Sequence, residues 1–148
     1  MNVASLAALA IALSIIIFAA AFHLYWATGG KTGWSVSLPQ RDDGAPVMSS
    51  MMGWWRWGAL GVALVLAGLA LMLLAEVGAV RFTAFAGLRH ALLILFAAAC
   101  IARVLVPSRY VGFFKRLTTT RWAHYDTRFY SPLFLALGLA ILTIVVAA

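Results

Sequence analysis

The sequence predicts an all-α fold: an integral membrane four-helix bundle, threaded up-down-up-down, in one domain covering residues 1–148. Three observations carry this expectation. Of the 148 residues, 65% are hydrophobic and 10% are charged, whereas a soluble globular domain carries about 25% charged residues. Four apolar runs each approach the roughly 20 residues that a span requires. The segments between them collect most of the Gly, Pro, Asp and basic residues.

The first run covers residues 3–27. No Lys or Arg precedes it and it is too long for the apolar core of a signal peptide, so it reads as a retained transmembrane helix. The second, 57–77, follows the Trp-rich "GWWRW". The third, 83–106, stops before Pro107, and the short link between the two predicts a tight antiparallel hairpin. The fourth, 132–147, opens at "SP", with Ser131 as a helix N-cap and Pro132 in the first turn.

The connections 28–56 and 107–130 are long and fall on the same side of a four-span bundle. Lys31, Arg41, Arg56, Arg103, Arg109, Lys115, Arg116, Arg121 and Arg128 belong to that side, against Arg81 and Arg89 on the other. The excess of basic residues predicts a cytoplasmic long-loop side and both termini outside, in a bacterial inner membrane. The net charge of +7 is then accounted for by anionic lipid rather than nucleic acid, and no nucleic-acid partner is expected. In the second connection, "SRYVGFFKRL" predicts an interfacial amphipathic helix between spans 3 and 4. Tyr110, Phe113, Phe114 and Leu117 share one face, with Arg109, Lys115 and Arg116 largely off it.

Ionisable groups inside spans are costly and call for partners. Arg103 stands one turn before the end of the third span. Side chains tilt toward a helix N-terminus, so Arg103 points back into the membrane by default. Asp126 is an available acid on that side, beside Asp42 and Asp43 of the first long connection. His23 has the same geometry in the first span, above Ala19 and Ala20 and with Trp26 three residues on. The starts of spans 2 and 4 bring Trp54, Trp55, Trp57, Tyr130 and Ser131 to that level. His23, Tyr25, Trp26, Arg103, Asp126 and Tyr130 are therefore the candidate ligand-binding residues. At the opposite end Arg89 tilts toward Glu76, which predicts a structural ion pair with His90 nearby. Cys100, the single cysteine, excludes an intrachain disulfide and a CxxC motif.

"FHLYWATGGKTGWSVSLP", Arg103, "RYVGFFKRL" and "YDTRFYSPLFLALG" occur in this order. Together they resemble the bacterial membrane family catalogued as Domain of Unknown Function 3995, across nearly the whole chain. The resemblance implies four spans, an H-x-Y-W-x-x-G-G block, an R-Y-V-G-F-F-K block and a D-T-x-x-Y-S-P-L block. It marks Gly29, Gly30, Pro39, Gly112, Ser131 and Pro132 as structural positions alongside Glu76 and Arg89. It assigns no reaction. Phe134 stands where many members are expected to carry a cysteine, which argues against thiol chemistry there.

Two readings of function follow. One is a site that binds, and in one version modifies, a lipid-like small molecule at the long-loop end. The alternative is an accessory or structural subunit of a larger membrane complex, with a membrane-protein partner or a homo-oligomer. Haem binding through His23 and His124 ranks below these, because His124 falls in a loop and the ligand set is thin. Proton-coupled transport ranks low too, since no acid lies mid-span. No cofactor or metal is expected. Nucleophile-elbow, phosphate-loop, HExxH and paired-carboxylate patterns are all missing, which leaves open whether the chain is an enzyme.

Overall fold

The computed structural model describes residues 2–48 and 53–147. Residues 49–52, inside the first long connection, lie outside that description. Among the described residues the fold is all-α, with four helices long and apolar enough to cross a membrane. α1 is Val3–Ala27, α2 Trp55–Glu76 and α3 Ala86–Leu105. The fourth span is longer than its apolar run. A short α4, Arg121–Tyr125, continues through a π-helical turn, Asp126–Tyr130, into α5, Ser131–Ala147.

Local chemistry explains the boundaries. The Asn2 side chain accepts from the Ser5 amide at 2.8 Å and caps α1. α1 ends where Gly29 takes φ +102° and the Gly30 amide bonds back to the Tyr25 carbonyl at 2.9 Å. α3 begins three residues later than the apolar pattern predicts, because Phe85 takes the left-handed φ of 56°. The fourth helix begins ten residues before the expected Ser131 cap. Thr120 is the N-cap instead, accepting from the Ala123 amide. Pro132 has no N–H to give to the Arg128 carbonyl, and its ring crowds that carbonyl. The wider π turn just before it absorbs the mismatch, so the helix continues where a break was expected.

The core gathers Ala8, Ala12 and Ile16 of α1, Leu66, Leu69 and Leu73 of α2, Leu93, Ala97 and Cys100 of α3, and Leu137, Ile141 and Ile144 of α5. The extensive contacts are α1 with α2, α1 with α5, and α3 with α5. α2 and α3 touch far less, so the expected tight hairpin between spans 2 and 3 is corrected. A short link holds only the helix ends together, and side-chain size decides what packs beyond them. α3 approaches α5 closely because Gly138 leaves room: a Cβ there would meet Ile101 Cγ1 at 2.8 Å and the Ala97 carbonyl oxygen at 3.0 Å. Small residues at such crossings are the usual device of membrane bundles. Cys100 lies in this contact as a small buried side chain.

The expected interfacial helix over residues 108–117 is also corrected. Residues 107–120 contain no helix. Gly112 takes φ +86°. Arg116 and Leu117 donate their amides to the Ser108 and Arg109 carbonyls, each at 3.0 Å, closing the segment into a loop. The apolar periodicity of this stretch is real, but a buried carboxylate organises its backbone.

Candidate functional site

The residues that the sequence groups into one polar cluster separate into two arrangements at the long-connection end. The first centres on Asp126, which is fully buried. The π turn places its side chain between α3 and the second long connection. Its Oδ1 accepts from Arg103 Nη2 at 2.7 Å. Its Oδ2 accepts from Lys115 Nζ and from the Gly112 amide, both at 2.9 Å, and from Ser131 Oγ at 3.2 Å. Arg103 therefore tilts inward and finds an acid, and its guanidinium lies 4.2 Å from the centre of the Phe134 ring. Phe134 thus serves as an apolar floor under a cation. Among the described residues, Arg103 Nη1 is the one buried side-chain nitrogen or oxygen with no partner.

Lys115 was expected off the apolar face of a helix. Its side chain is only 1% exposed, and it also donates to the Gly112 carbonyl and to Thr127 Oγ1. Gly112 must be a glycine: a Cβ would stand 2.6 Å from the Arg103 carbonyl oxygen. Asp126, placed in a loop by its sequence context, is helical and inaccessible. Every oxygen of this carboxylate is engaged, so the network is built to lock α3, the second connection and the fourth helix together. The acid is fully buried, with one donor on Oδ1 and three on Oδ2.

The second arrangement is a cleft between α1, α2 and the first long connection. It has a volume of about 230 Å³ and is lined by His23 and Trp26 of α1, Trp54, Trp55, Gly58, Ala59 and Val62 at the start of α2, and Trp34, Ser37, Leu38 and Met48 of the connection. A 3₁₀ turn, Trp34–Val36, presents Trp34 to it. Trp34 packs 4.8 Å from Trp55 and 5.5 Å from Trp26, centroid to centroid, and His23 meets Trp26 edge-on at 5.0 Å. Trp26 Nε1 donates to the Thr32 carbonyl at 2.8 Å, which fixes the indole that forms the cleft wall.

His23 Nδ1 lies 2.8 Å from the Ala19 carbonyl oxygen. A carbonyl oxygen can only accept, so Nδ1 carries the proton in this bond. In the neutral ring Nε2 then bears a lone pair. Nε2 has no partner among the described residues. The cleft therefore combines aromatic walls with an uncommitted ring nitrogen, that of His23.

The remaining predicted site residues are placed as follows. Tyr25 does not line the cleft. It is 43% exposed, its ring covers Gly30, where any Cβ would collide with it, and its hydroxyl bonds Thr32 Oγ1 at 3.1 Å. Tyr130 stacks on Trp122 at 5.1 Å, beside the Asp126 network rather than beside His23. The Pro39 carbonyl accepts from the Val47 amide at 2.8 Å and closes a turn. Arg56 donates to the Ala27 carbonyl at 3.0 Å, covering an otherwise open end of α1. At the other end of the bundle, Glu76 accepts from Arg89 Nε and pairs with His90 Nδ1, each at 2.7 Å. No group of three or more His, Cys, Asp or Glu side chains is arranged to hold a metal among the described residues.

Sequence reasoning missed Lys115, Trp34 and Trp122. Lys115 is part of the R-Y-V-G-F-F-K block, and two basic residues compete there for a single nearby acid; that imbalance was the available signal. Trp122 seals the network from above, donating its Nε1 to the Tyr110 carbonyl at 2.8 Å. Its amide accepts no such role from sequence spacing: it donates to Gln40 Oε1 at 2.9 Å, 82 residues away. A rank of rings joins the two arrangements: Trp26 to Phe22, Phe22 to Phe18, Phe18 to Phe129 and Phe129 to Tyr130, with centroids 5.0–5.9 Å apart.

Comparison with known proteins adds family membership and no activity. A search of curated proteins and a search of solved structures each found no match. The model of the family described as "Protein of unknown function (DUF3995)" matches residues 15–141, which include His23, the Gly29–Gly30 turn, Arg103, Gly112, Lys115 and Asp126, and the chain belongs to that family.

Proposed function

We propose that this chain is a multi-pass membrane protein that binds a lipid-like small molecule in the cleft between α1, α2 and the first long connection. The observation that carries the reading is the pairing of tryptophan walls with the unpartnered Nε2 of His23. An amphiphile would lay its apolar part against Trp26, Trp34 and Trp55 and direct a hydroxyl or N–H at His23. Small-molecule sites have this composition: mostly apolar lining and a few placed polar groups. The cleft, at about 230 Å³, is below the roughly 300–1,000 Å³ of drug-sized sites, so it suits the head and first carbons of a lipid whose tail stays in the bilayer. The same lone pair is suited to take a proton from a ligand hydroxyl in a general-base step.

The basic residues support a cytoplasmic long-connection end in a bacterial inner membrane. Of the nine there, Arg103 and Lys115 are committed to Asp126, and of the two opposite, Arg89 is committed to Glu76. Seven against one remain to follow the charge rule.

The test is mass spectrometry of molecules retained by the purified protein, wild type beside His23→Phe. The variant keeps an aromatic ring against Trp26 and removes Nε2. A specific species on the wild type, depleted at least tenfold on the variant while the melting temperature is held, is the expected result. An empty wild-type protein, or equal retention by both, overturns the reading.

A further inference from the structure

The loop that replaces the expected interfacial helix forms a second, separate recess. Pro107, Ser108, Arg109, Arg116, Leu117 and Asp42 line a groove of about 430 Å³. Its two arginines are seven residues apart, and the backbone brings them together. The Arg116 amide bonds to the Ser108 carbonyl and the Leu117 amide to the Arg109 carbonyl. Ser108 Oγ also accepts from the Val111 amide at 2.9 Å and holds the turn. Both guanidiniums are thus presented from a closed loop rather than from free chain.

Their charge is not balanced within the protein. Arg109 Nη2 reaches Asp42 only at 3.5 Å, with both side chains at least 65% exposed, and Arg116 has no ion pair among the described residues. The neighbouring Lys115 is turned away into the Asp126 network. The groove therefore keeps one positive charge in excess, from two planar guanidiniums suited to bidentate oxygen ligands.

Its depth points to the ligand. α3 ends at Leu105, so Pro107 to Arg109 stand immediately beyond a span, at headgroup level. Phe113 and Phe114, on the same loop, are 40% and 59% exposed, and exposed aromatic rings beside basic residues are the signature of a membrane interface. We infer that this groove binds the phosphate headgroup of an anionic phospholipid, with Arg109 and Arg116 on the phosphate and the acyl chains beside Pro107, Leu117 and the exposed phenylalanines. Basic pockets at the ends of spans recognise lipid headgroups by this chemistry. The site shares no lining residue with the His23 cleft, so either can fail without the other.

The experiment compares thermal stabilisation of the detergent-purified full chain by phosphatidylglycerol, by phosphatidylcholine with the same acyl chains, and by inorganic phosphate. Stabilisation by phosphatidylglycerol alone is expected. Arg109→Gln with Arg116→Gln should weaken it at least tenfold in half-effective concentration. Asp42→Asn, which removes the competing acid, should strengthen it. Arg121→Gln with Arg128→Gln, a loss of the same charge from the same end but outside the groove, should leave it unchanged. Equal stabilisation by both lipids, full stabilisation by inorganic phosphate, weakening by Asp42→Asn, or the same loss in the Arg121/Arg128 variant as in the Arg109/Arg116 variant overturns the assignment.

Discussion

Asp126→Asn exchanges one oxygen for an amide nitrogen at the most heavily bonded buried side chain of the fold. The carboxylate accepts from Arg103, Lys115, the Gly112 amide and Ser131 within 2.7–3.2 Å. Asparagine offers one acceptor oxygen and turns an NH₂ group toward donors. Lys115, with its side chain 1% exposed, cannot recover water without opening the loop. Breaking a buried pair by removing one partner costs about 3–5 kcal/mol. For a chain of this size each kcal/mol moves the melting temperature by about 2–4 °C, so the expected drop is about 6–20 °C. The assay is thermal unfolding of the detergent-purified protein by intrinsic tryptophan fluorescence. Lys115→Met should partly rescue the Asn variant, because it removes the stranded cation, and the cycle should give a coupling of about 0.5–3 kcal/mol. An Asn variant melting within about 2 °C of wild type, or strictly additive effects, would falsify the locked-network account.

Other consequences are open to the same measurement. Gly112→Ala combines a left-handed φ with a Cβ 2.6 Å from a backbone oxygen; backbone strain alone costs about 1–3 kcal/mol, so its melting temperature should fall further than that of Gly44→Ala, whose Cβ meets nothing within 4 Å. Equal falls would show that the close approach is unimportant. Glu76→Gln leaves Arg89 and His90 without their acid at a side chain 5% exposed, and a loss of about 1–3 kcal/mol should lower folding yield and melting temperature. Unchanged yield and stability would refute the pairing as a structural tie. His23→Phe, by contrast, should change the melting temperature by no more than about 2 °C, since only an i−4 side-chain bond is lost; a large fall would mean that His23 holds the bundle together.

Much of the fold was legible because its signals are local. Hydropathy sums along the chain, so the apolar runs expected over roughly 3–27 and 57–77 fall on the helices Val3–Ala27 and Trp55–Glu76. Arg103's inward tilt and the Arg89–Glu76 contact followed from the direction of the Cα–Cβ bond in a helix. The errors cluster at 107–131, where a non-local partner decides the backbone. "SRYVGFFKRL" has helical periodicity, yet Gly112 and Lys115 bend it around Asp126. "SP" has the chemistry of a helix start, yet the π turn carries the helix through it and places Asp126 where Arg103, Gly112 and Lys115 donate to it. One polar cluster at a common depth became two separate arrangements, because depth along the bundle says nothing about angle around it.

By itself the sequence determined the fold class, the number of spans, the end of the bundle where polar residues collect and the acids available to its buried cations, because apolar length, charge count and side-chain tilt belong to each segment alone. Only the tertiary structure decided which helices pack closely, that both Asp126 oxygens are bonded, that His23 keeps a free nitrogen among tryptophans, and that Arg109 and Arg116 share a groove. Those properties depend on contacts between residues far apart in the chain, such as Gln40 with Trp122, and such contacts are set by which side chains leave room for one another.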